Sequence, residues 1–170
     1  MNTSTCTHQI LRVTITSFLI SMALFMTLST HSSANAVESL DSIKQKFIGD
    51  YELVSYMQYP EAGGEIDMNY SGRLSYDTRG NMAGIGMPRD LPERNAQSSE
   101  RLSGGFAYWG KVSYDLENSI VIHHVEGSPM VPQWVGGENI RYFEFTDGFL
   151  KLSLKNDQGR ITGTLTWRKL

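Results

Sequence analysis

The sequence contains a single cysteine, Cys6, in a chain of 170 residues. Because Cys6 precedes a long apolar run near the N-terminus, we expect it to be missing from the working domain, which then has no disulfide, thiolate metal site or cysteine nucleophile. Two catalytic signatures are also missing, the Gly-x-Ser-x-Gly pattern of serine hydrolases and a phosphate-binding glycine loop ahead of a helix. The sequence therefore gives no support for thiol, serine-hydrolase or nucleotide chemistry.

The N-terminal segment has the pattern of a secretory signal peptide. His8 and Arg12 precede an apolar run, and residues 34–36 read Ala-Asn-Ala, an A-x-A cleavage sequence. The run is about 16 residues long and contains Thr and Ser, whereas a membrane-spanning helix needs about 20 apolar residues. We therefore predict a signal peptide over residues 1–36, cleaved before Val37, rather than an uncleaved anchor. Residues 37–170 are then a periplasmic or secreted domain without stable membrane insertion.

Neither sign of charge is in large excess. Without residues 1–36 the chain has 14 Lys and Arg against 18 Asp and Glu, a formal charge of −4. Such a weak negative charge gives no reason to expect nucleic acid or an anionic membrane as a partner. The remaining 134 residues are enough to bury one hydrophobic core without disulfides.

Alternating apolar segments separated by turn signals fill most of residues 37–170. A short helix is predicted over residues 38–47 and a helical turn near 98–102. Eight strands are predicted over residues 51–59, 72–76, 81–87, 106–114, 119–126, 140–146, 149–154 and 161–168. The expected fold is all-β, an eight-stranded antiparallel up-and-down β-barrel with a short N-terminal helix and room for one small ligand. A two-sheet sandwich is the alternative.

Six motifs resemble those of the lipocalin-like domain family, small bacterial and fungal barrels that differ from true lipocalins. The motifs are Gly49-Asp-Tyr-Glu-Leu-Val-Ser55, Gly105-Phe-Ala-Tyr-Trp-Gly110, His123-His-Val-Glu-Gly-Ser128, Pro132-Gln-Trp-Val-Gly136, Arg141-Tyr-Phe-Glu-Phe145 and Leu165-Thr-Trp-Arg168. The resemblance implies a barrel with a ligand-sized cavity and supplies no reaction. True lipocalins carry Trp where this chain has Tyr51, and the comparison implies that Arg168 stacks on that ring.

Three ionisable residues interrupt the apolar strand predicted over residues 119–126: His123, His124 and Glu126. Because side chains alternate, His123 lies on one face and the other two lie on the opposite face. If the face that carries His124 and Glu126 points inward, these two side chains stand about 7 Å apart and can act as an acid/base pair. If the face that carries His123 points inward, this histidine orients a ligand. The third interpretation is one hydrogen-bonded core histidine and two solvated groups.

Aromatic residues form a second group of candidates. Tyr108, Phe143 and Trp167 lie on strand faces that suit a flat apolar ligand, although the same rings can simply fill a small barrel. Trp134 belongs to a loop stiffened by prolines and followed by Gly136-Gly137. It is either a lid over the barrel mouth or an anchor that holds the loop to the barrel.

Arg141 is the candidate cation of the site. It either neutralises a ligand carboxylate or forms an ion pair with Glu126 or Glu144. A metal site on the histidine strand would need a third ligand such as Glu144 or Asp115 from elsewhere, so neither a metal nor a cofactor is predicted.

The sequence thus predicts an exported lipocalin-like protein that binds a small, largely apolar molecule inside the barrel, with Tyr108, His123, His124, Glu126, Trp134, Arg141, Phe143 and Trp167 as site residues. The alternative is a small-molecule isomerase, cyclase or hydrolase that uses His124 and Glu126. A third hypothesis is an exported scaffold with a filled interior and only protein partners. Neither a ligand's identity nor an oligomeric state follows from the sequence.

Overall fold

The computed structural model describes residues 39–91 and 104–170. The predicted signal peptide and the predicted helical turn at 98–102 lie outside these residues. The described elements are α1 (Leu40–Phe47), β1 (Gly49–Gln58), β2 (Ile66–Asp67), β3 (Tyr70–Tyr76), β4 (Asn81–Pro88), β5 (Phe106–Asp115), β6 (Ile120–Gly127), a 3₁₀ helix (Pro132–Trp134), β7 (Glu138–Thr146), β8 (Phe149–Lys155) and β9 (Ile161–Lys169). In this part of the chain no helix is long and apolar enough to cross a membrane.

Eight of the strands form a closed antiparallel barrel. From β3 to β9 each strand pairs with its neighbour in chain order, and β1 pairs with both β3 and β9. The predicted eight-stranded up-and-down barrel with a short N-terminal helix is therefore confirmed. The strand β2 was not predicted; its two residues pair antiparallel with Met57 and Gln58 at the end of β1. Closure pairs the two strands that would otherwise be the exposed edges of the sheet.

The strand pairings are irregular at three points, of which those in β1 and β6 lie beside site residues. In β1 the pairing with β9 shifts at Val54, so that Tyr51 is buried in the core before the bulge and Tyr56 faces the interior after it. In β6 the pairing with β5 skips Glu126. A bulge inserts one extra residue and interrupts the inward and outward alternation of its strand. The first bulge explains why the apolar pattern of residues 51–59 alternates only loosely.

The helix α1 closes one end of the barrel. Ser39 caps its N-terminus by accepting a hydrogen bond from the backbone N–H of Ser42 at 3.2 Å. Phe47, the last helical residue, is fully buried. Four rings surround it with centroids 5.0–5.2 Å away, those of Tyr76, Tyr114, Phe143 and Phe145. This aromatic plug fills the interior at the α1 end.

Tyr51 joins the helix to the barrel. Its hydroxyl lies 2.8 Å from the carbonyl oxygens of both Lys46 and Phe47, in the last turn of the helix, where carbonyl groups lack intrahelical partners. Burial, assisted by the nearby Tyr114, raises the pKa of Tyr51 to about 12. The hydroxyl therefore keeps its proton and remains a donor to the end of the helix.

The predicted stacking of Arg168 on Tyr51 is wrong. Trp167 points into the barrel, and alternation directs Arg168 outward, where it binds the carboxylate of Glu52. The cross-strand partner of Tyr51 is Lys169, and its Nζ lies 5.7 Å from the centroid of the tyrosine ring.

Candidate functional site

The strand β6 directs His123 into the barrel and His124 and Glu126 away from it. His123 is fully buried, whereas Glu126 is the exposed residue of the bulge. His124 is half-buried on the outside, with its Nδ1 3.2 Å from Glu138 and its Nε2 2.7 Å from the hydroxyl of Ser113. An acid/base pair of His124 and Glu126 inside the barrel, the alternative prediction, is therefore wrong, because both side chains lie on the outer face.

His123 is the centre of a buried hydrogen-bonded chain. The hydroxyl oxygen of Tyr76 lies 2.8 Å from its Nε2, and the hydroxyl oxygen of Tyr108 lies 2.9 Å from its Nδ1. A neutral imidazole has one N–H and one unprotonated nitrogen, so one tyrosine donates to the ring and the other accepts from it. The three side chains come from β3, β5 and β6 and thus link neighbouring parts of the barrel interior.

The environment keeps this chain uncharged. Burial lowers the pKa of His123 well below its usual 6.5, and electrostatic interactions with Arg141 and His124 lower it further. Burial raises the pKa of Tyr76 and of Tyr108; for Tyr108 the neighbouring Arg141 opposes the rise. At pH 7 the two hydroxyls and the imidazole are therefore all neutral.

A cavity of about 120 Å³ lies next to Tyr108 inside the barrel. Its walls are mainly apolar, and Tyr108 and Arg141 bring polar groups to it. The lining residues are Tyr56, Leu74, Gly84, Phe106, Tyr108, Trp134, Arg141, Leu152, Leu154, Leu165 and Trp167. They occupy the half of the barrel remote from α1, because the helix and the aromatic plug fill the other half.

Trp134 contacts the cavity from the connection that follows β6. Its ring packs edge-to-face on Tyr108, with a centroid distance of 5.5 Å and an interplanar angle of 88°. The side chain is half-buried and ends the 3₁₀ helix that begins at Pro132. This position is compatible with both predicted roles, a lid over the cavity and an anchor for the loop.

Arg141 reaches the cavity from β7. It shares the inward face with its cross-strand partner Val121. Its guanidinium donates to the carbonyl oxygen of Ile140 at 2.8 Å, and no carboxylate of residues 39–91 or 104–170 forms an ion pair with it. The predicted ion pair of Arg141 with Glu126 or Glu144 is therefore wrong, since Glu126 faces outward and Glu144 pairs with Lys151 at 4.0 Å.

Trp167 and Phe143, two further predicted residues, lie at different levels of the barrel. Trp167 lines the cavity and is only 2% exposed, and its indole N–H has no hydrogen-bond partner. A buried donor without a partner costs about 1–3 kcal/mol. Phe143 instead packs against Phe47 in the aromatic plug. The structure thus brings Tyr108, Trp134, Arg141 and Trp167 together and places Phe143 elsewhere.

Several residues of the site were not predicted from the sequence. Tyr76 holds His123, and Tyr56 and the leucines of β8 and β9 form cavity walls. The alternation of Leu74 and Tyr76 in β3 was a usable signal for Tyr76, because both residues lie on the inward face. Within the described residues no group of three or more His, Cys, Asp or Glu side chains is placed to hold a metal ion.

Comparison with known proteins identifies the family of this chain. A solved structure of a lipocalin-like protein from Bacteroides uniformis ATCC 8492 is similar to this chain, with 16% identity and a TM-score of 0.43 over 74% of this chain and 99% of that chain. No curated protein matches the sequence. The model of the lipocalin-like domain family matches residues 48–170, most of the chain. The chain therefore belongs to the lipocalin-like domain family.

Proposed function

We propose that this protein is an exported barrel that binds a small, largely apolar molecule in the cavity next to Tyr108. The lipocalin-like barrel itself suggests ligand binding. The observation that carries the proposal is the cavity of about 120 Å³, which leucine and aromatic side chains enclose and which Arg141 reaches. Ligand sites are typically apolar clefts of this kind with a few polar groups that orient the ligand.

The volume limits the size of the part that the barrel encloses. Apolar cavities of about 150 Å³ bind benzene, so this smaller cavity encloses a group of at most about six carbon atoms. At roughly 0.5 kcal/mol per non-hydrogen atom, such a ligand binds with a Kd of order 1 mM, and tighter binding requires further atoms at the mouth or a charge interaction. Binding experiments should therefore extend to several millimolar.

The neutral Tyr76–His123–Tyr108 chain supports binding better than acid–base catalysis. A general acid or base works best when its pKa lies near the operating pH. Burial instead moves the pKa of His123 far below pH 7 and that of Tyr108 above its already high value. We therefore assign His123 to holding the hydroxyl of Tyr108 in place at the cavity wall.

Export remains part of the proposal and rests on the sequence pattern of residues 1–36. The test is expression of the full chain in a Gram-negative host, followed by fractionation and N-terminal sequencing. A chain in the periplasmic fraction that begins at Val37 would support export. An intact chain in the cytoplasmic fraction would contradict it.

The binding test uses two neutral probes, benzyl alcohol and 1-hexanol, titrated into the purified domain and followed by two-dimensional NMR. We expect shifts of the resonances from the cavity walls with saturation in the millimolar range. Leu152→Trp, which fills the cavity, should abolish these shifts. Trp134→Ala should lower the affinity for the probes or raise their rate of binding. Trp109→Ala is the matched control, because Trp109 is 51% exposed on the outer face. Unchanged binding in Leu152→Trp would refute the proposed site.

A further inference from the structure

Arg141 leaves the cavity with a positive charge that no protein carboxylate balances. Its guanidinium has five N–H donors, of which one goes to the carbonyl oxygen of Ile140 and another to the hydroxyl oxygen of Tyr108. None of the cavity-lining residues is acidic. A cationic ligand would therefore meet repulsion in this cavity, whereas an anionic ligand would supply the missing counter-charge.

Trp167 provides the second, independent observation. Its indole N–H is buried without a hydrogen-bond partner, and its ring lines the same cavity as Arg141. An indole N–H only donates, so it can be satisfied only by an acceptor. The hydroxyl of Tyr108, which the imidazole of His123 holds at the cavity wall, is the third polar group. The cavity wall thus carries two groups that only donate, the guanidinium and the indole N–H, and one hydroxyl that already bonds to Arg141 and His123.

We infer that the barrel ligand is a monocarboxylate whose enclosed apolar part has at most about six carbon atoms, with its carboxylate bound by Arg141 and the indole N–H of Trp167. This inference rests on the proposed function, since it names the chemical class of the same ligand. Carboxylate oxygens accept several hydrogen bonds, and a guanidinium binds a carboxylate through charge-assisted hydrogen bonds. The leucine walls and the volume set the size of the apolar part.

Three probes of one shape separate charge from size: benzoate, benzamide and benzamidine, which are negative, neutral and positive at pH 7. In calorimetric titrations we expect benzoate to bind at least ten-fold more tightly than benzamide, and benzamidine to show no binding. Arg141→Gln should bring benzoate and benzamide to within two-fold of each other. Arg73→Gln is the matched control, because Arg73 lies on the outer face with its side chain 62% exposed.

The indole N–H resonance of Trp167 gives a direct signature of the contact. Addition of benzoate should move this resonance downfield, and Trp167→Phe should lower the affinity for benzoate about three- to ten-fold while benzamide changes less. The resonance should not move in Leu152→Trp, in which the cavity is filled.

The outcomes distinguish the two proposals. Equal binding of benzoate and benzamide, unaffected by Arg141→Gln but abolished by Leu152→Trp, would overturn the carboxylate inference and leave the apolar site intact. Absence of binding by all three probes together with benzyl alcohol and 1-hexanol would overturn both. Benzoate binding that survives Leu152→Trp would place the anion outside the cavity and also overturn the inference.

Discussion

Replacement of His123 by Gln is expected to remove most of the pH dependence of stability near neutrality. Below pH 6.5 the unfolded chain takes up a proton on this imidazole, whereas the folded protein does not, because burial holds the pKa of His123 well below that value. The unfolded state then binds more protons, so the free energy of unfolding falls as the pH falls and recovers as it rises. Because the pKa of His123 in the folded protein lies below pH 5.5, the free energy of unfolding falls by about 1.4 kcal/mol between pH 7.5 and pH 5.5.

The groups that face His123 support this direction. Tyr76 from β3 and Tyr108 from β5 are neutral in this range, and Arg141 from β7 opposes protonation of the imidazole. Carboxylates with a lowered pKa, such as that of Glu52, lose their contribution only below about pH 4.5, outside the window. The histidine is therefore the group that dominates the expected loss between pH 7.5 and 5.5.

The assay is urea denaturation of the wild type, His123→Gln and His124→Gln at pH 7.5, 6.5 and 5.5. His123→Gln should be about 1–3 kcal/mol less stable at pH 7.5, because the two tyrosine hydroxyls lose their well-placed partner. It should then lose about 1.4 kcal/mol less than the wild type on acidification. In His124→Gln, which changes a residue on the outer face, the free energy of unfolding should fall on acidification as much as in the wild type. Equal losses in His123→Gln and the wild type would refute the reasoning.

Three further changes test the rest of the architecture. Phe47→Ala empties the aromatic plug and should destabilise the domain by about 3–5 kcal/mol in urea denaturation; a loss below 1 kcal/mol would contradict the plug. Gly110→Ala places a methyl group against a backbone carbonyl of the facing strand and should lower the free energy of unfolding by about 1–3 kcal/mol. Gly84→Ala is the comparison, because a methyl group there makes ordinary contacts of 3.5 Å and longer. It should change thermal stability little and mainly reduce the volume of the cavity. Arg168→Ala removes an exposed ion pair with Glu52 and should cost less than about 1 kcal/mol, so a larger loss would mean that the pair is more than a surface contact.

Periodicity was enough to predict the barrel, since each of the eight barrel strands was placed within two residues of its observed bounds. It failed where the alternation is interrupted. The bulge at Val54 brings Tyr56 to the interior, and no local pattern marks the position of a bulge. The strand β2 has only two exposed residues, Ile66 and Asp67, and therefore carries no periodic signal.

The candidate site was predictable as a set of residues but not as an arrangement. Alternation showed that His123 and His124 lie on opposite faces, and only the packing of the whole barrel decides which face is inside. The contact between Tyr76 and His123 joins residues 47 positions apart. The missing counter-ion of Arg141 likewise depends on the directions of side chains on several strands. Such relations come from tertiary structure and leave no trace in a local window.

The pairing of β1 with β9 also has a kinetic consequence. It joins Tyr51 to Lys169, two residues near opposite ends of the domain, so closure requires the chain to bring together its most distant strands. Contacts of such long sequence separation cost loop entropy before they add stability and make folding slow. The barrel cannot be completed until residues 161–169 have left the ribosome. The barrel of a nascent chain therefore stays unclosed until its final strand arrives.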